Sequence, residues 1–460
     1  MKLKTVLAAA FAVGFTSSAM AQTNVIEITG ATAFRNAAMR AILQAYSTTG
    51  LEVVHDANGN SANNLYGANL AIFRGTIPGI QGTTIVRCSW NGSAEGLNAI
   101  AGKNNPKFLT TAALTNSFAY NGTDFRGGIS TPFDTVTRPR FAFSDVVQAN
   151  TPVQTDLNGD PITFEGGPVG VVTFAMVAND GVTNSLNNIT VQQANALWKA
   201  GQLPLSQFTG NTDDQGTRVL AVGRNDGSGT RASYLSEFKV GVATPTQQYI
   251  VTTAGLESTN DRITAVTRVP ANGSGPGVLA TVGGTNNASV LWGQPTLPGN
   301  GGYASSSGIR DHLQLKSTNV AIYDGENQDP EYIGPVALVS WLTTADARTV
   351  IAGTGAGTGG GGRVLGFNGV TITPIATLGS YLSSGFSEAD YKKITTGQYS
   401  AWNFQQFYSH GTESAAEAAF RSIISSNIVT ALGVTANGLP MTAMEGVNRS
   451  DDGVEIYGGF

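Results

Sequence analysis

The sequence predicts an α/β protein, in which strands and helices alternate along the chain. Residues 25–29 alternate apolar and polar side chains as a half-buried strand does, and the helical pattern of residues 33–46 follows after a glycine turn. Residues 169–178 form a nearly continuous apolar run, the pattern of a strand buried on both faces of a parallel sheet. The order of strand, polar turn and helix recurs along the chain, which predicts a sheet flanked by helices.

The other predicted elements continue this alternation. The stretch 56–69 is rich in Asn and Gly and predicts a loop, and 272–308 is a long loop-rich segment. Residues 353–362 are dominated by glycine, and a flexible linker is favoured over a phosphate loop because no Gly-Lys-Ser/Thr closes the segment. Strands are predicted at 70–73, 83–88, 141–143, 219–222 and 336–342, and helices at 94–101, 190–200, 231–238, 387–393 and 413–426.

The first residues predict a secretory signal peptide over residues 1–21. Lys2 and Lys4 form a basic start, residues 6–15 are a short apolar run, and Ala19-Met20-Ala21 fits a small-residue cleavage site. The alternative, an N-terminal membrane anchor, is disfavoured because the apolar run is too short to span a bilayer. We therefore expect the mature chain to begin near Gln22 and to be periplasmic or secreted.

Composition excludes several classes of protein. The 460 residues carry a formal net charge of −5 and no basic run longer than Lys392-Lys393, so the electrostatic footprint of a nucleic-acid binder is missing. The single cysteine, Cys88, excludes an intramolecular disulfide, a cysteine zinc cluster and a lipid-modified cysteine at the mature N-terminus. Its position at the end of a predicted strand predicts a small buried side chain rather than a reactive thiol. The chain length predicts about two to three domains.

The most informative segment is Arg-Asn-Asp-Gly-Ser-Gly-Thr at residues 224–230, between a predicted strand and a predicted helix. Helix N-termini present unpaired N–H groups and a partial positive charge, which favour an oxyanion. Gly227 and Gly229 allow close approach of the backbone, Ser228 and Thr230 add hydroxyl groups, and Arg224 offers a planar fork of N–H donors. An ordinary turn followed by a helix N-cap is the alternative.

Other polar turns also follow predicted strands. Glycine and hydroxyl residues occupy the turns at 30–34 and 92–96, and Ser144-Asp145 ends a third strand. Ligands of open α/β sheets bind at the carboxyl ends of the strands, so these turns are expected to converge on one cleft.

Hydrolase chemistry has little support in the sequence. His55, His312 and His410 are the only histidines and have no metal-ligand spacing, and Ser228 is not in a Gly-x-Ser-x-Gly turn. A serine triad assembled from distant segments stays an alternative. We expect no catalysis, no metal and no cofactor.

Two acidic patterns have alternative interpretations. Residues 156–160 alternate oxygen ligands as a calcium loop does, but Pro161 stands where glycine is needed and no glutamate closes the loop, which favours a surface turn. Glu413 and Glu417 lie one helical turn apart among alanines, which predicts a solvated helix face rather than a catalytic pair.

Taken in order, these motifs resemble those of the phosphate-binding proteins of ABC importers, which have the type II periplasmic binding protein fold. The segment 224–230 is the most specific match, and weaker motifs follow the family's order over the whole mature chain. The weaker motifs are the turns at 30–34 and 92–96, the pair Ser144-Asp145, and the segments 189–210 and 394–408.

The resemblance implies a two-lobed clamp with a hinge between the lobes, each lobe a mainly parallel sheet flanked by helices. Residues 22–167 and 361–460 would form the first lobe and residues 168–360 the second. Asp145 would accept the proton of hydrogen phosphate and repel unprotonated sulfate. The implied ligand-binding residues are Thr32, Ala33, Phe34, Ser93, Asp145, Arg224, Ser228, Gly229 and Thr230.

Three charges depart from the family's pattern. Arg35 stands where the family usually has proline, Glu95 adds a negative charge near the second turn, and Arg231 adds a positive charge after Thr230. A larger or organic anion is therefore an alternative to phosphate. The resemblance implies a monomer that binds phosphate or a related oxyanion and feeds the membrane subunits of an ABC importer. A sensor or surface interaction protein with a degenerate pocket is the second hypothesis, and a phosphoester hydrolase is the third.

Overall fold

The computed structural model of the protein covers the mature chain in several ranges. The predicted signal peptide lies outside the described residues, and so do most of the loop-rich stretch 272–308 and the centre of the predicted linker. The described residues are 22–116, 125–179, 185–252, 256–257, 262–269, 290–291, 301–324, 329–353, 361–373, 386–433 and 438–458.

Strands and helices alternate through these ranges. The strands are β1 (Thr23–Gly30), β2 (Glu52–His55), β3 (Leu70–Gly75), β4 (Thr83–Trp90), β5 (Lys107–Leu109), β6 (Phe133–Thr135), β7 (Phe141–Ser144), β8 (Glu165–Ala178), β9 (Asn188–Ile189), β10 (Gln202–Pro204), β11 (Arg218–Ala221), β12 (Tyr249–Ile250), β13 (Ala265–Arg268), β14 (Val290–Leu291), β15 (Gly302–Tyr303), β16 (Val320–Tyr323), β17 (Tyr332–Gly334), β18 (Val336–Thr343), β19 (Arg363–Phe367), β20 (Trp402–Ser409), β21 (Val447–Asn448) and β22 (Tyr457–Gly458). The helices are α1 (Arg35–Ala45), α2 (Ala62–Gly67), α3 (Ser93–Ile100), α4 (Val191–Ala200), α5 (Ser206–Thr209), α6 (Gly229–Glu237), α7 (Ser306–His312), α8 (Thr344–Ala352), α9 (Glu388–Thr395) and α10 (Ala415–Leu432).

The main sheet has two halves that are joined by its longest strand. Its strands run in the order β10-β11-β18-β8-β20-β7-β1-β4-β3-β2. Most of β8 pairs with β20, and its last residues, from Phe174 to Ala178, pair with β18. We refer to β1–β4 and β7 with α1, α3 and α10 as the β1 half, and to β10, β11 and β18 with α4, α6 and α8 as the β11 half. β8 and β20 connect the two halves.

Helices cover both faces of the β1 half. α1 packs against α10, while α3 lies against β1 and β7. The side chains of β7 alternate between these layers: the ring of Phe141 lies 6.0 Å from that of Phe420 in α10, and Phe143 lies 5.6 Å from Phe34 before α1. Ala142 points the other way and packs with Leu97 of α3. The sheet is therefore buried on both sides, as an α/β fold requires.

The predicted α/β class is confirmed, and the pairing of strands is mixed. β1 pairs in parallel with β4 and β7, and β11 pairs in parallel with β18. The apolar run of β8 is buried from Gly170 to Ala178 as predicted, but its neighbours β18, β19 and β20 are all antiparallel to it. The apolar pattern reports burial on both faces, which either strand direction satisfies, so the parallel expectation for this strand was wrong.

A short helix, α2, occupies part of the stretch predicted as a loop. Ser61 and Asn64 form a capping box, in which Ser61 Oγ accepts from Asn64 N and Ser61 N donates to Asn64 Oδ1, each over 3.3 Å. The reciprocal cap satisfies N–H groups at the helix start, and the buried side chains of Leu65 and Tyr66 hold this six-residue helix against the core.

Predictions for three single features have definite outcomes. Cys88 is buried, as predicted, and burial raises the pKa of its thiol. Residues 156–160 form a turn, in which Asp156 Oδ1 accepts from Asn158 N over 2.8 Å. The solvated face predicted for Glu413 and Glu417 is wrong, since both are half-buried and pair with Arg421 and Arg140, respectively.

Two observations concern the limits of the lobes and the helices. β19 follows the predicted lobe boundary at residue 360 and pairs with β8 and β9.

Of the helices in the described ranges, none combines the length and apolar character needed to cross a membrane.

Candidate functional site

Two glycine turns meet at the carboxyl ends of β1 and β4. Gly92 N donates to Gly30 O over 3.0 Å. Gly30 has φ +114° and Gly92 has φ +117°, backbone conformations that other residues rarely adopt. A methyl group on Gly30 would lie 2.7 Å from Phe143 N, so β7 also packs closely against this turn. The turns after β1 and β4 and the end of β7 are thus brought to one edge of the sheet.

The Ser93 hydroxyl joins the second turn to Asp145. Asp145 N donates to Ser93 Oγ over 3.0 Å. The Asp145 side chain is only 2% exposed, and its Oδ1 has no hydrogen-bond partner among the described residues. Burial raises the pKa of Asp145 to about 7, an effect opposed by the Ser93 hydrogen bond and the positive charge of Arg224. A buried carboxyl oxygen without a partner is costly unless a ligand or proton satisfies it.

The N-terminus of α6, from the β11 half, lies directly against this pair. Ser228 is the N-cap, and its Oγ accepts from Arg231 N over 3.4 Å. Gly229 follows with no room for a side chain: a methyl group there would lie 2.6 Å from Ser93 Cβ and 2.8 Å from Asp145 Oδ2. Thr230 is also buried. The first turn of α6 therefore packs against Ser93 and Asp145 from the opposite half.

A second contact joins the same two turns. Glu95 N donates to Gly227 O over 3.3 Å. A methyl group on Gly227 would lie 2.7 Å from Glu95 Cγ. Burial raises the pKa of Glu95, and the nearby charge of Asp226 raises it further. The N-termini of α3 and α6 therefore meet with their partial positive charges on the same site.

Arg224 is buried beside α6 and is held by neutral groups. Its Nε donates to Tyr303 O over 3.0 Å, Nη2 to Ala304 O over 2.8 Å, and Nη1 to Ser306 Oγ over 2.9 Å. No carboxylate of the described residues lies within ion-pair distance of this guanidinium. Burial lowers the pKa of Arg224 to about 10, opposed by the charges of Asp346 and Asp145, so it is charged at neutral pH. Two of its five N–H groups remain to bind an anion.

Further charges from both halves surround this site. Burial lowers the pKa of Arg35 to about 10, and the charges of Asp56 and Asp346 oppose this effect. Asp346 lies in the first turn of α8 and its charge acts on both Arg35, from the β1 half, and Arg224, from the β11 half. The Arg35 guanidinium also donates to Asn69 Oδ1. Arg35 therefore contributes positive charge near the candidate site.

The first turn supplies the remaining predicted residues. Thr32 and Ala33 are half-buried between β1 and α1, and the bond from Gly92 to Gly30 joins this turn to the second one. Phe34 is fully buried, and its ring packs against Phe143. The Phe34 side chain is therefore part of the core, and only its backbone is suited to a ligand.

The sequence did not indicate the residues that hold Arg224. Tyr303, Ala304 and Ser306 lie near the end of the loop-rich stretch 272–308, about 80 residues from Arg224 along the chain. Tyr303 is fixed in turn by His312, whose Nδ1 lies 2.7 Å from the Tyr303 hydroxyl. No local pattern in this stretch could have identified them, because they act mainly through backbone carbonyls.

Metal-binding side chains do not assemble in the described part of the chain. No group of three or more His, Cys, Asp or Glu residues there is arranged to hold a metal ion. His55 is buried in β2, where burial lowers its pKa to about 4, and His410 lies on the surface beside Arg138.

The described residues define an α/β protein in which glycine turns, Asp145 and Arg224 meet between the two halves of the main sheet. The sequence matches no protein-family model and no curated protein. Among solved structures, the chain is similar to an ABC-type phosphate transport receptor from Vibrio cholerae, with 11% identity, coverage of 89% of this chain and 96% of that chain, and a TM-score of 0.39. It is also similar to a phosphate-binding protein from Stenotrophomonas maltophilia, with 12% identity, coverage of 92% and 91%, and a TM-score of 0.33.

Proposed function

We propose that this protein is a solute-binding protein that captures phosphate, or a closely related oxyanion, between the β1 and β11 halves. The main support is the environment of Asp145, whose buried Oδ1 is unpartnered in the described residues while Ser93, Arg224 and the start of α6 surround it. A buried phosphate needs a partner for each oxygen. Backbone amides, hydroxyls and one arginine supply donors, and Asp145 accepts the proton of hydrogen phosphate.

The proposed ligand contacts come from both halves. Thr32, Ala33, the Phe34 backbone, Ser93 and Asp145 act from the β1 half. Arg224, Ser228, Gly229 and Thr230 act from the β11 half. Because each half supplies only some of the contacts to the anion, the bound anion stabilises the closed arrangement of the two halves over an open one.

The proposed biological setting rests on the predicted signal peptide and on the proposed binding chemistry. Residues 22–167 and 361–460 would form one lobe and residues 168–360 the other, with β8 and β20 at the hinge. The mature chain would work in the periplasm or outside the cell as a monomer, deliver its ligand to an ABC importer, and carry out no catalysis.

Phosphate is expected to raise the melting temperature of the mature chain. A ligand that binds only the folded protein, at about 100 times its Kd, adds about 2.7 kcal/mol to the free energy of unfolding. A thermal-shift titration with phosphate, with chloride at equal ionic strength as the control, measures the effect. An unchanged melting temperature at millimolar phosphate would contradict the proposed function.

Sulfate binding is expected to depend on pH through Asp145. Above the Asp145 pKa of about 7 the carboxylate repels sulfate, which carries no proton to share. Below that pH the neutral carboxyl donates its proton. The neutral fraction of Asp145 rises about 30-fold between pH 8.5 and pH 5.5, so the sulfate affinity should rise by up to about 30-fold. Asp145→Asn supplies a donor at every pH and should bind sulfate without this dependence. Calorimetry measures the sulfate affinity of both proteins as a function of pH. Equal pH profiles would show that Asp145 does not contact the anion.

A further inference from the structure

The C-terminal hairpin, residues 447–458, contacts both halves of the protein next to the candidate site. Its strands β21 and β22 pair antiparallel. Between them, the hairpin buries Arg449 and Asp452, whose exposures are only 4% and 5%. Two buried charges of opposite sign in a short terminal hairpin are costly to desolvate, so their partners are informative.

Asp452 anchors the hairpin to the β1 half. Val147 N donates to Asp452 Oδ2 over 2.7 Å, and Asn150 Nδ2 donates to the neighbouring Asp451 Oδ1 over 2.6 Å. Val147 lies only two residues beyond Asp145. The hairpin therefore binds the backbone two residues beyond Asp145, through the hydrogen bond from Val147 N to Asp452 Oδ2.

Arg449 anchors the hairpin to α6 of the β11 half. Its Nη2 lies 3.5 Å from Glu237 Oε1, and both side chains are almost fully buried. The Lys239 ammonium donates to Gly453 O. A methyl group on Gly453 would lie 2.5 Å from Ser236 O, so the backbones are in close contact. Glu237 is the last residue of the helix whose first residue, Gly229, faces the site.

The hairpin also lies on the strand that connects the halves. Arg449 Nη1 donates to Trp402 O over 2.5 Å, and the guanidinium lies 4.7 Å from the centre of the Trp402 ring. Trp402 begins β20. One side chain, Arg449, thus contacts the connecting strand and the far end of α6 together.

We propose that Arg449 and Asp452 are positioning residues, which act through the hairpin to hold α6 and the Asp145 backbone at the spacing that the closed oxyanion site needs. The expected effect on phosphate affinity rests on the proposed function. The expected effect on the distance between the two halves is independent of the proposed function. Loss of either anchor leaves one half free to move away from the other.

Spin-label distances and phosphate affinity test the proposal together. Labels are attached at Lys103→Cys in the β1 half and Lys199→Cys in the β11 half, since both lysines are exposed and Cys88 is buried. Three variants and one control variant are compared in the full mature chain. Asp452→Ala removes the acceptor of Val147 N, and Asp452→Asn keeps an acceptor oxygen. The double variant Arg449→Met with Glu237→Gln removes both charges of the buried pair at similar volume, which guards against failure to fold.

We expect Asp452→Ala and the double variant to give longer, broader distances and a Kd for phosphate at least about tenfold higher. Asp452→Asn should retain most of the native distance and affinity. Glu455→Ala, an exposed change in the same hairpin, should alter neither. A lower melting temperature with native distances and Kd would show a merely structural hairpin and overturn the proposal. If the wild-type chain binds no phosphate, the proposed function fails, and the distances alone decide the role of the hairpin.

Discussion

Replacing Gly229 with alanine is expected to weaken oxyanion binding by about 5- to 150-fold. The added methyl group would lie 2.6 Å from Ser93 Cβ and 2.8 Å from Asp145 Oδ2, and it also meets Ser93 Oγ. These atoms belong to the opposite half, so the clash opposes closure rather than the folding of either half. Overpacking of this kind costs about 1–3 kcal/mol, which gives the stated range. Calorimetric titration with phosphate measures it.

Gly216→Ala is the matched control for this variant. A methyl group on Gly216 meets nothing within 4 Å. The Gly216→Ala variant should therefore bind phosphate with the affinity of the wild type. Alanine is also a better helix former than glycine, so Gly229→Ala should keep its circular dichroism spectrum. Native affinity in Gly229→Ala would show that closure of these two turns does not form the binding site.

Arg224→Ala is expected to raise the Kd for phosphate by at least about 30-fold. In the proposed site the buried Arg224 pairs with the anion, and removing one partner of such a buried charge pair typically costs about 2–5 kcal/mol. The melting temperature should also fall, because the guanidinium binds the carbonyls of Tyr303 and Ala304. Calorimetry below the melting temperature of the variant separates the two effects.

Two variants control for the structural part of this effect. Ser306→Ala removes one hydrogen-bond partner of Arg224 but keeps the charge, so its affinity should fall much less. Arg262→Ala removes an exposed arginine that pairs with Glu257 at 2.8 Å, and affinity should be unchanged. If Ser306→Ala and Arg224→Ala weaken binding equally, Arg224 acts by holding the 303–306 segment rather than by contacting the anion.

Much of the local structure was predictable because it depends on residues close together in sequence. The motif at 224–230 predicts an oxyanion site or, as the alternative, an ordinary turn with a helix N-cap, and Ser228 is the N-cap of α6. The turn at 92–96 requires glycine because Gly92 has φ +117°. The apolar period predicts β1, α1 and α3, and a capping box of Ser414 and Glu417 begins α10.

Strand direction could not be read from the same patterns. The apolar run of β8 correctly predicts burial on both faces. Burial depends on what covers a strand, whereas direction depends on which strands pair with it, and β18 and β20 come from far along the chain. The antiparallel pairing is therefore a property of the assembled sheet.

By itself, the sequence determined the α/β class and the polar turns that end β1, β4 and β7, because strand period and glycine conformation are local. Only the tertiary structure decided what surrounds those turns: the carbonyls of Tyr303 and Ala304 on Arg224, the charge of Asp346 between two arginines, and the C-terminal hairpin behind Asp145. These contacts join residues far apart in sequence, often through backbone atoms that every residue possesses. Local side-chain patterns therefore do not predict these long-range contacts, which form only when the chain has folded.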